Sequence, residues 1–300
     1  MKITALIFFL LFSLPCLAGS DFLLINNSPE SLGRGGAGSA GLSDVSHAVL
    51  NPASTVMITK PQVSASYLIF QNNFNYNYFG AGYPVYPGFL SFHVIYLSLS
   101  DMDEEMGGEG TSASISYSDA AIAASYSLRI GDIVNAGVSL KYIRRKIEAS
   151  QDSTWGLDLG VAKEFNFLNL AKKYYPNFIL AAAVRHIGGQ LKFMETEEDL
   201  PLTYTFGFSY SPYTDLFLSY DMNKTREEEM NHSLGLEYRT PFYIIPRIGL
   251  KMEEEIILMT GLGLRYNLGF ISIKCDYAYN LLGQQVKSHA VSLCLEFMRF

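Results

Sequence analysis

Residues 202–210 read Leu-Thr-Tyr-Thr-Phe-Gly-Phe-Ser-Tyr, with a large apolar or aromatic side chain at every second position and a small or hydroxylated one between. In an extended chain successive side chains point to opposite faces, so this stretch has one greasy face and one face of small polar groups. The same pattern recurs in Val134-Ala136-Val138-Leu140-Tyr142, Trp155-Leu157-Leu159-Val161, Leu262-Leu264-Tyr266, Ile271-Ile273-Cys275-Tyr277-Tyr279 and Val291-Leu293-Leu295-Phe297. Gly, Pro, Asn or acidic clusters break it at short intervals, as turns do. The segments predict strands over 62–70, 75–84, 88–100, 118–130, 133–147, 154–164, 177–189, 201–211, 214–222, 231–239, 243–251, 256–267, 269–280 and 287–297. The chain therefore reads as all-β. An even number of strands of about ten residues, apolar on one face and small or polar on the other, fits an antiparallel transmembrane β-barrel of about 14 strands, with lipid outside and a lumen inside.

A soluble sandwich also alternates, and the connections separate the two. Those after odd-numbered strands carry Asp101, Asp103, Glu104, Glu105 and Glu109, then Glu148 and Asp152, Glu195 to Asp199, Glu227 to Glu229, and Glu253 to Glu255, more than half of the 29 acidic residues. Those after even-numbered strands are mostly short and neutral, such as Pro84 to Gly88, Thr240-Pro241 and Asn267 to Gly269. One acidic, long-looped end and one tight-turned end holding both termini is the plan of an outer-membrane barrel. The exception is Phe165–Asn177, a longer connection on the tight-turned side with room for a short helix. The acidic clusters read as solvated loops, because no Asp/Asn/Gly spacing aims several oxygens at one point as a metal site requires. No metal and no cofactor are expected. Tyr210, Tyr238, Tyr266 and Tyr279 near strand ends suit either an aromatic girdle or ordinary packing.

Composition agrees. The chain has 300 residues, 49% of them hydrophobic and 17% charged, a mean hydropathy of +0.13 and a net charge of −7. It is too apolar for disorder and lacks the basic face that nucleic acid requires. Beyond the N-terminus no run approaches the roughly 20 apolar residues of a membrane helix. Residues 1–18 read as a cleaved secretory signal peptide, with basic Lys2, an apolar run from Ile3 to Leu14 and the small-x-small site Cys16-Leu-Ala18. Lipidation at Cys16 is the rival reading, against which Pro15 stands just before the Cys. Cys275 and Cys294 fall on opposite strand faces and are not expected to pair.

Residues 19–61 do not alternate and are glycine-rich, which suits a compact hatch or plug inside the lumen of a barrel spanning 62–300. A phosphate-binding reading of Gly33-Arg-Gly-Gly-Ala-Gly38 lacks the preceding strand and the Gly-Lys-Ser/Thr ending. The run Ser31-Leu-Gly-Arg-Gly-Gly-Ala-Gly38, then Leu42-Ser-Asp44-Val-Ser46 and Asn51-Pro52-Ala53, resembles the PorV/PorQ family of FadL-like outer-membrane proteins. Further similarity lies in Gly137 to Tyr142, Gly156 to Gly160, Leu200-Pro201 leading into Gly207, and Gly235 to Tyr238, so that it covers nearly the whole exported chain. It implies a fourteen-stranded barrel in the cell outer membrane closed by an N-terminal hatch, whose motif residues here are Gly33, Gly35, Gly36, Asp44, Asn51, Pro52 and Ala53. Its partners would be outer-membrane lipid, the outer-membrane assembly machinery that reads a terminal aromatic (Phe297 or Phe300), and a cargo. That cargo is either a hydrophobic small molecule passing through the barrel or, as in type IX secretion, an exported protein held at the cell surface. Both roles are noncatalytic.

A hydrolase would need a nucleophile beside a His base. Of the five His residues, His186 and His232 share parity with the apolar face, His93 lies near a strand break, and His47 and His289 lie outside the strand interiors. None recurs with a Ser and an acid at barrel spacing. Lys141, Asp158, Arg185, Glu237, Arg265, Lys274 and Asp276 fall on lumen parity and form either an ion-pair lattice or a polar path. In the third strand the apolar residues shift from Leu90, Phe92, Val94 and Tyr96 to Leu97 and Leu99, a change of parity that predicts a bulge. The resemblance implies a lateral portal at a kink in this strand, here Tyr96–Leu97. Asn51-Pro52-Ala53 is either the hatch's anchor to the first strand or a simple turn.

Overall fold

The computed structural model describes residues 21–41, 44–70, 74–99, 117–148, 150–165, 177–193, 196–282 and 288–298. Residues 1–20, which hold the stretch expected to be a signal peptide with Cys16 and the first two residues of the 19–61 segment, the acids of 101–109, Glu195, Leu42, Ser43, most of the connection 165–177 and Phe300 lie outside these residues.

The strands are β1 (Gln62–Phe70), β2 (Phe74–Val85), β3 (Gly88–Leu99), β4 (Tyr117–Ile130), β5 (Val134–Ile147), β6 (Ser150–Phe165), β7 (Phe178–Gly188), β8 (Gln190–Phe193), β9 (Thr196–Asp199), β10 (Thr203–Tyr210), β11 (Leu216–Thr225), β12 (Met230–Tyr238), β13 (Ile244–Met252), β14 (Ile256–Asn267), β15 (Ile271–Leu282) and β16 (Ser288–Phe297). Fourteen of them pair antiparallel with their sequence neighbours, β7 with β10, and β1 closes on β16 from Gln62↔Glu296 to Phe70↔Ser288. Closure leaves no unpaired edge, which is what lets a sheet cross lipid with its backbone polar groups satisfied. Phe79, Phe92, Ile122, Leu140, Trp155, Tyr204, Phe206 and Leu264 stand exposed on the outer face, while Ser64, Ser91, Ser139, Thr203, Ser219 and Ser233 are buried on the inner one. Cys294 is buried toward the lumen, and Cys275, paired with outward Leu264 and Leu293, faces the other way; both are free.

Three features depart from the sequence reading. The connection after β7 is not an open loop, because β8 and β9 form a separate hairpin whose Leu191 is buried against the barrel's interior. The bulge expected at Tyr96–Leu97 is absent: β3 pairs without a break from Phe74↔Leu99 to Val85↔Gly88 on one side and from Gly88↔Leu128 to Ser98↔Ser118 on the other. Tyr96 faces out while Ile95 and Leu97 face in, so the parity change marks a strand apolar on both faces. Among the described residues the ladder slips instead between Leu157 and Leu159 of β6, opposite β7, and between Leu258 and Met259 of β14, opposite β15. At the first slip His186 adopts φ 61 and turns into the lumen beside Arg185, against the outward position its parity predicts.

Candidate functional site in the lumen

The described part of the N-terminal segment crosses the lumen as four short helical turns, three of them begun by a side-chain cap. Ser28 caps α1 (Pro29–Leu32), Asp44 caps the turn Val45–Val49, and Asn51 caps the turn Pro52–Met57, while Asp21–Leu23 forms a single turn before them. Short polar side chains satisfy the free N–H groups at such starts, and proline fits the first helical position because its missing donor is not needed there. Asn51 does more than cap. Its Oδ1 accepts from Ala53 N at 3.0 Å, and its Nδ2 donates to Ser39 O at 3.2 Å and to Val161 O of β6 at 3.3 Å. Pro52 forces the residue before it out of helical geometry, and Asn51 is extended at φ −156, ψ 111.

Glycines on both surfaces bring the segment close to the wall. A Cβ on Gly33 would lie 2.9 Å from Gly261 Cα, and one on Gly35 would lie 2.6 Å from Leu250 N. Gly35 and Gly36 also hold φ +71 and +94, the left-handed region that L side chains rarely adopt. Gly38 N and Ser39 N each donate to Asp221 Oδ2 at 2.8 Å, tying the segment to β11.

Arg34 is the centre of the electrostatics. Its Nη1 lies 2.8 Å from Glu30 Oε1 and 3.1 Å from Glu237 Oε2 of β12, and its guanidinium sits 5.0 Å from the Phe217 ring centroid. Arg247 of β13 bridges Glu237 (Nε to Oε2, 2.7 Å) and Asp276 (Nη1 to Oδ1, 2.6 Å), and Arg239 reaches Glu237 Oε1 at 2.8 Å. Three guanidinium groups thus face three carboxylates, and the cluster is balanced. Burial opposes ionisation of Glu30, but Arg34 and then Arg247 hold its carboxyl well below the usual range.

Of the seven lumen charges expected from parity, Lys141 and Asp158 pair at 2.7 Å, and Glu237 and Asp276 meet through Arg247. Arg185 donates to Thr205, Lys274 lies 3.9 Å from Glu296, and Arg265 stays half-buried on the inner face of β14. The seven do not form one lattice. Sequence reasoning missed Glu30, Arg34, Asp221 and Arg247. Asp221 follows the same parity rule as the others, whereas Arg247 shares its face with Ile245, which hides the alternation.

Toward the long-looped end the lumen changes character. Phe22 and Leu23 are buried in an apolar cluster with Leu68, Tyr76, Ile95, Leu97 and Ile143 from the wall, covered by Leu191 of β8 and by Leu200. Over it the β8–β9 hairpin is tied down by Glu198, whose Oε2 lies 3.0 Å from Arg145 Nη1; Arg145 also pairs with Asp119 at 3.0 Å. Asp21 lies half-buried at this end, and burial, then Glu228, push its pKa up to about 6 against the pull of Arg145.

Two predictions arise here. Asn51→Ala should remove the cap at a cost of about 1 to 2 kcal/mol and raise hydrogen exchange across 51–57 while the strand amides stay protected. Because the docked state binds the Asp21 proton more tightly than the undocked one, docking of residues 21–23 should be tightest in acid and weaken as pH rises through about 6. Exchange at Phe22 and Leu23 against pH reads this directly, and Asp21→Asn should flatten the curve.

No protein-family description matches the sequence, and no curated protein does. Solved structures do match in shape. The Ralstonia pickettii toluene transporter TbuX superposes with a TM-score of 0.59 over 90% of this chain and 97% of its own, at 13% identity. The CymD monoaromatic hydrocarbon channel gives 0.63 over 92% and 99% at 12% identity, and a Pseudomonas aeruginosa FadL homologue gives 0.60 over 90% and 98% at 11%. The fold is the FadL-like barrel. At these identities the likeness carries the architecture and not the cargo.

Proposed function

We propose that the protein is a noncatalytic outer-membrane barrel that passes small hydrophobic molecules, with residues 21–61 as the hatch that closes its lumen. The observation that carries this reading is the apolar chamber. A lumen that served only water would be lined with polar groups, yet one stretch of this wall presents Leu68, Tyr76, Ile95, Leu97 and Ile143 inward. Phe22 and Leu23 of the hatch fill it, so the hatch occupies the space a hydrophobic cargo would take. The kinship in fold with a toluene transporter and a monoaromatic hydrocarbon channel agrees with such a cargo. A narrower kinship with PorV/PorQ proteins rests on the glycine motif and Asn51-Pro52-Ala53. The intact β3 ladder withdraws the reason for placing a side exit at Tyr96–Leu97.

Photolabelling tests the chamber. A diazirine-bearing alkylbenzene, irradiated with the purified protein in detergent, should modify Leu97 and Ile143, and excess ethylbenzene should suppress the adducts. Labelling confined to outward residues such as Phe92 and Leu140 would contradict an internal site.

A further inference from the structure

Below the chamber the wall turns polar within one step of the strand. Lys141 is the next inward residue to Ile143 on β5, and its Nζ lies 2.7 Å from Asp158 Oδ2 and 2.9 Å from His186 Nδ1. An ammonium group only donates, so His186 Nδ1 accepts and the ring's proton sits on Nε2. That Nε2 is buried and has no partner. Its sequence neighbour Arg185 is in the same position: Nη2 reaches Thr205 Oγ1 at a long 3.4 Å, and the buried Nε has no partner. Both side chains enter the lumen because β7 slips against β6 here, with Asp158 Oδ1 accepting from His186 N at 2.8 Å. A positive φ at histidine is disfavoured, and it places a second N–H donor in the lumen where regular pairing would have put the ring in lipid.

Buried donors without acceptors are among the costliest groups a protein can keep, and an acceptor that meets them is correspondingly favoured. Charge decides which acceptor. Lys141 and Arg185 are matched by Asp158 and Asp221, the two carboxylates that act on Arg185, so the patch has no net charge to offset a desolvated anion. A hydrocarbon, in turn, would leave both donors unmet. We propose that Arg185 and His186 form the polar end of the cargo site whose apolar end is the chamber, and that the site selects a neutral oxygen-bearing molecule such as a ketone or an ester. This rests on the chamber reading above and specifies the class of cargo. The size of the site is set by what now fills its apolar end, one phenylalanine ring and one leucine.

Three single-ring probes separate the cases: ethylbenzene, acetophenone and benzoate, each competing with an environment-sensitive apolar dye for the purified full-length barrel. Acetophenone should bind about tenfold more tightly than the other two. Its carbonyl stretch should move to lower frequency in the bound state, as it does on accepting a hydrogen bond. His186→Gly, which suits the positive φ, should abolish both the preference and the band shift, with unchanged heat-modified gel migration showing that the barrel still folds. Equal binding of ethylbenzene and acetophenone with no band shift would overturn the donor site and leave the chamber standing. Tightest binding by benzoate would overturn the charge argument. Failure of all three to displace the dye would remove the chamber reading and this proposal with it.

Discussion

Replacing Arg247 with methionine should release the hatch from the wall. Arg247 sits between Glu237 and Asp276 with its side chain fully buried, and Arg34 of the hatch shares Glu237 with it. Three cations balance three anions in this cluster, so the substitution strands a buried carboxylate, for which a loss of about 3 to 5 kcal/mol is expected. Repacking methionine recovers little of that, because Gly263 leaves open space shaped for the guanidinium, Arg247 Nη1 lying 2.8 Å from where its Cβ would be. The readout is trypsin cleavage after Arg34, which is 1% exposed in the closed state. The variant should be cut there under conditions that spare the parent protein. Adding Glu237→Gln should restore part of the protection, since it removes the carboxylate left without a partner. Protection unchanged in Arg247→Met would mean that the charge cluster does not hold the hatch.

The second large effect concerns the lumen itself. Deleting residues 21–50 while keeping Asn51-Pro52-Ala53 should convert a closed barrel into an ion-conducting one. The deleted stretch fills the lumen through Phe22, Leu23, Arg34, Val45 and His47, all nearly inaccessible to solvent. Without it, Glu237, Arg247, Asp276 and Asp221 would line open water. In planar bilayers the full-length protein should show little steady conductance and the shortened one long-lived open channels, at equal incorporation. Similar conductance from both would place the closure elsewhere, for instance in the β8–β9 hairpin.

Much of this architecture can be read from period-two alternation, because lipid on one side and a lumen on the other force every strand to sort its residues by face. Thr203–Tyr210 and Val134–Ile147 sort cleanly, and their predicted ends fall within two residues of the observed ones. The rule fails where both faces are apolar. β3 buries Ile95 and Leu97 against the hatch while exposing Phe92, Val94 and Tyr96 outward, so its sequence imitates a bulge. The actual slip at β6 and β7 gives no such signal, since Asp158, Arg185 and His186 are ordinary residues whose pairing is settled only by the neighbouring strands. That the N-terminal segment forms no strand was legible in its glycines and Asn51-Pro52. Its ion pair to the wall was not, because Arg34 and Glu237 meet across 203 residues of chain. The hairpin over the chamber also escaped notice. Leu191 and Phe193 alternate in β8, but two apolar positions beside Glu197, Glu198 and Asp199 are too short a run to mark a strand.

The central claim is passage of small hydrophobic molecules past a hatch, and dye entry across a lipopolysaccharide-bearing outer membrane tests it most directly. Cells carrying the intact protein should take up a small apolar fluorophore faster than cells lacking it, and Phe22→Ala with Leu23→Ala should raise the rate further by emptying the chamber. Entry at the same rate in all three strains, together with loss of surface display of exported proteins when the barrel is absent, would contradict transport and leave a secretion role in its place.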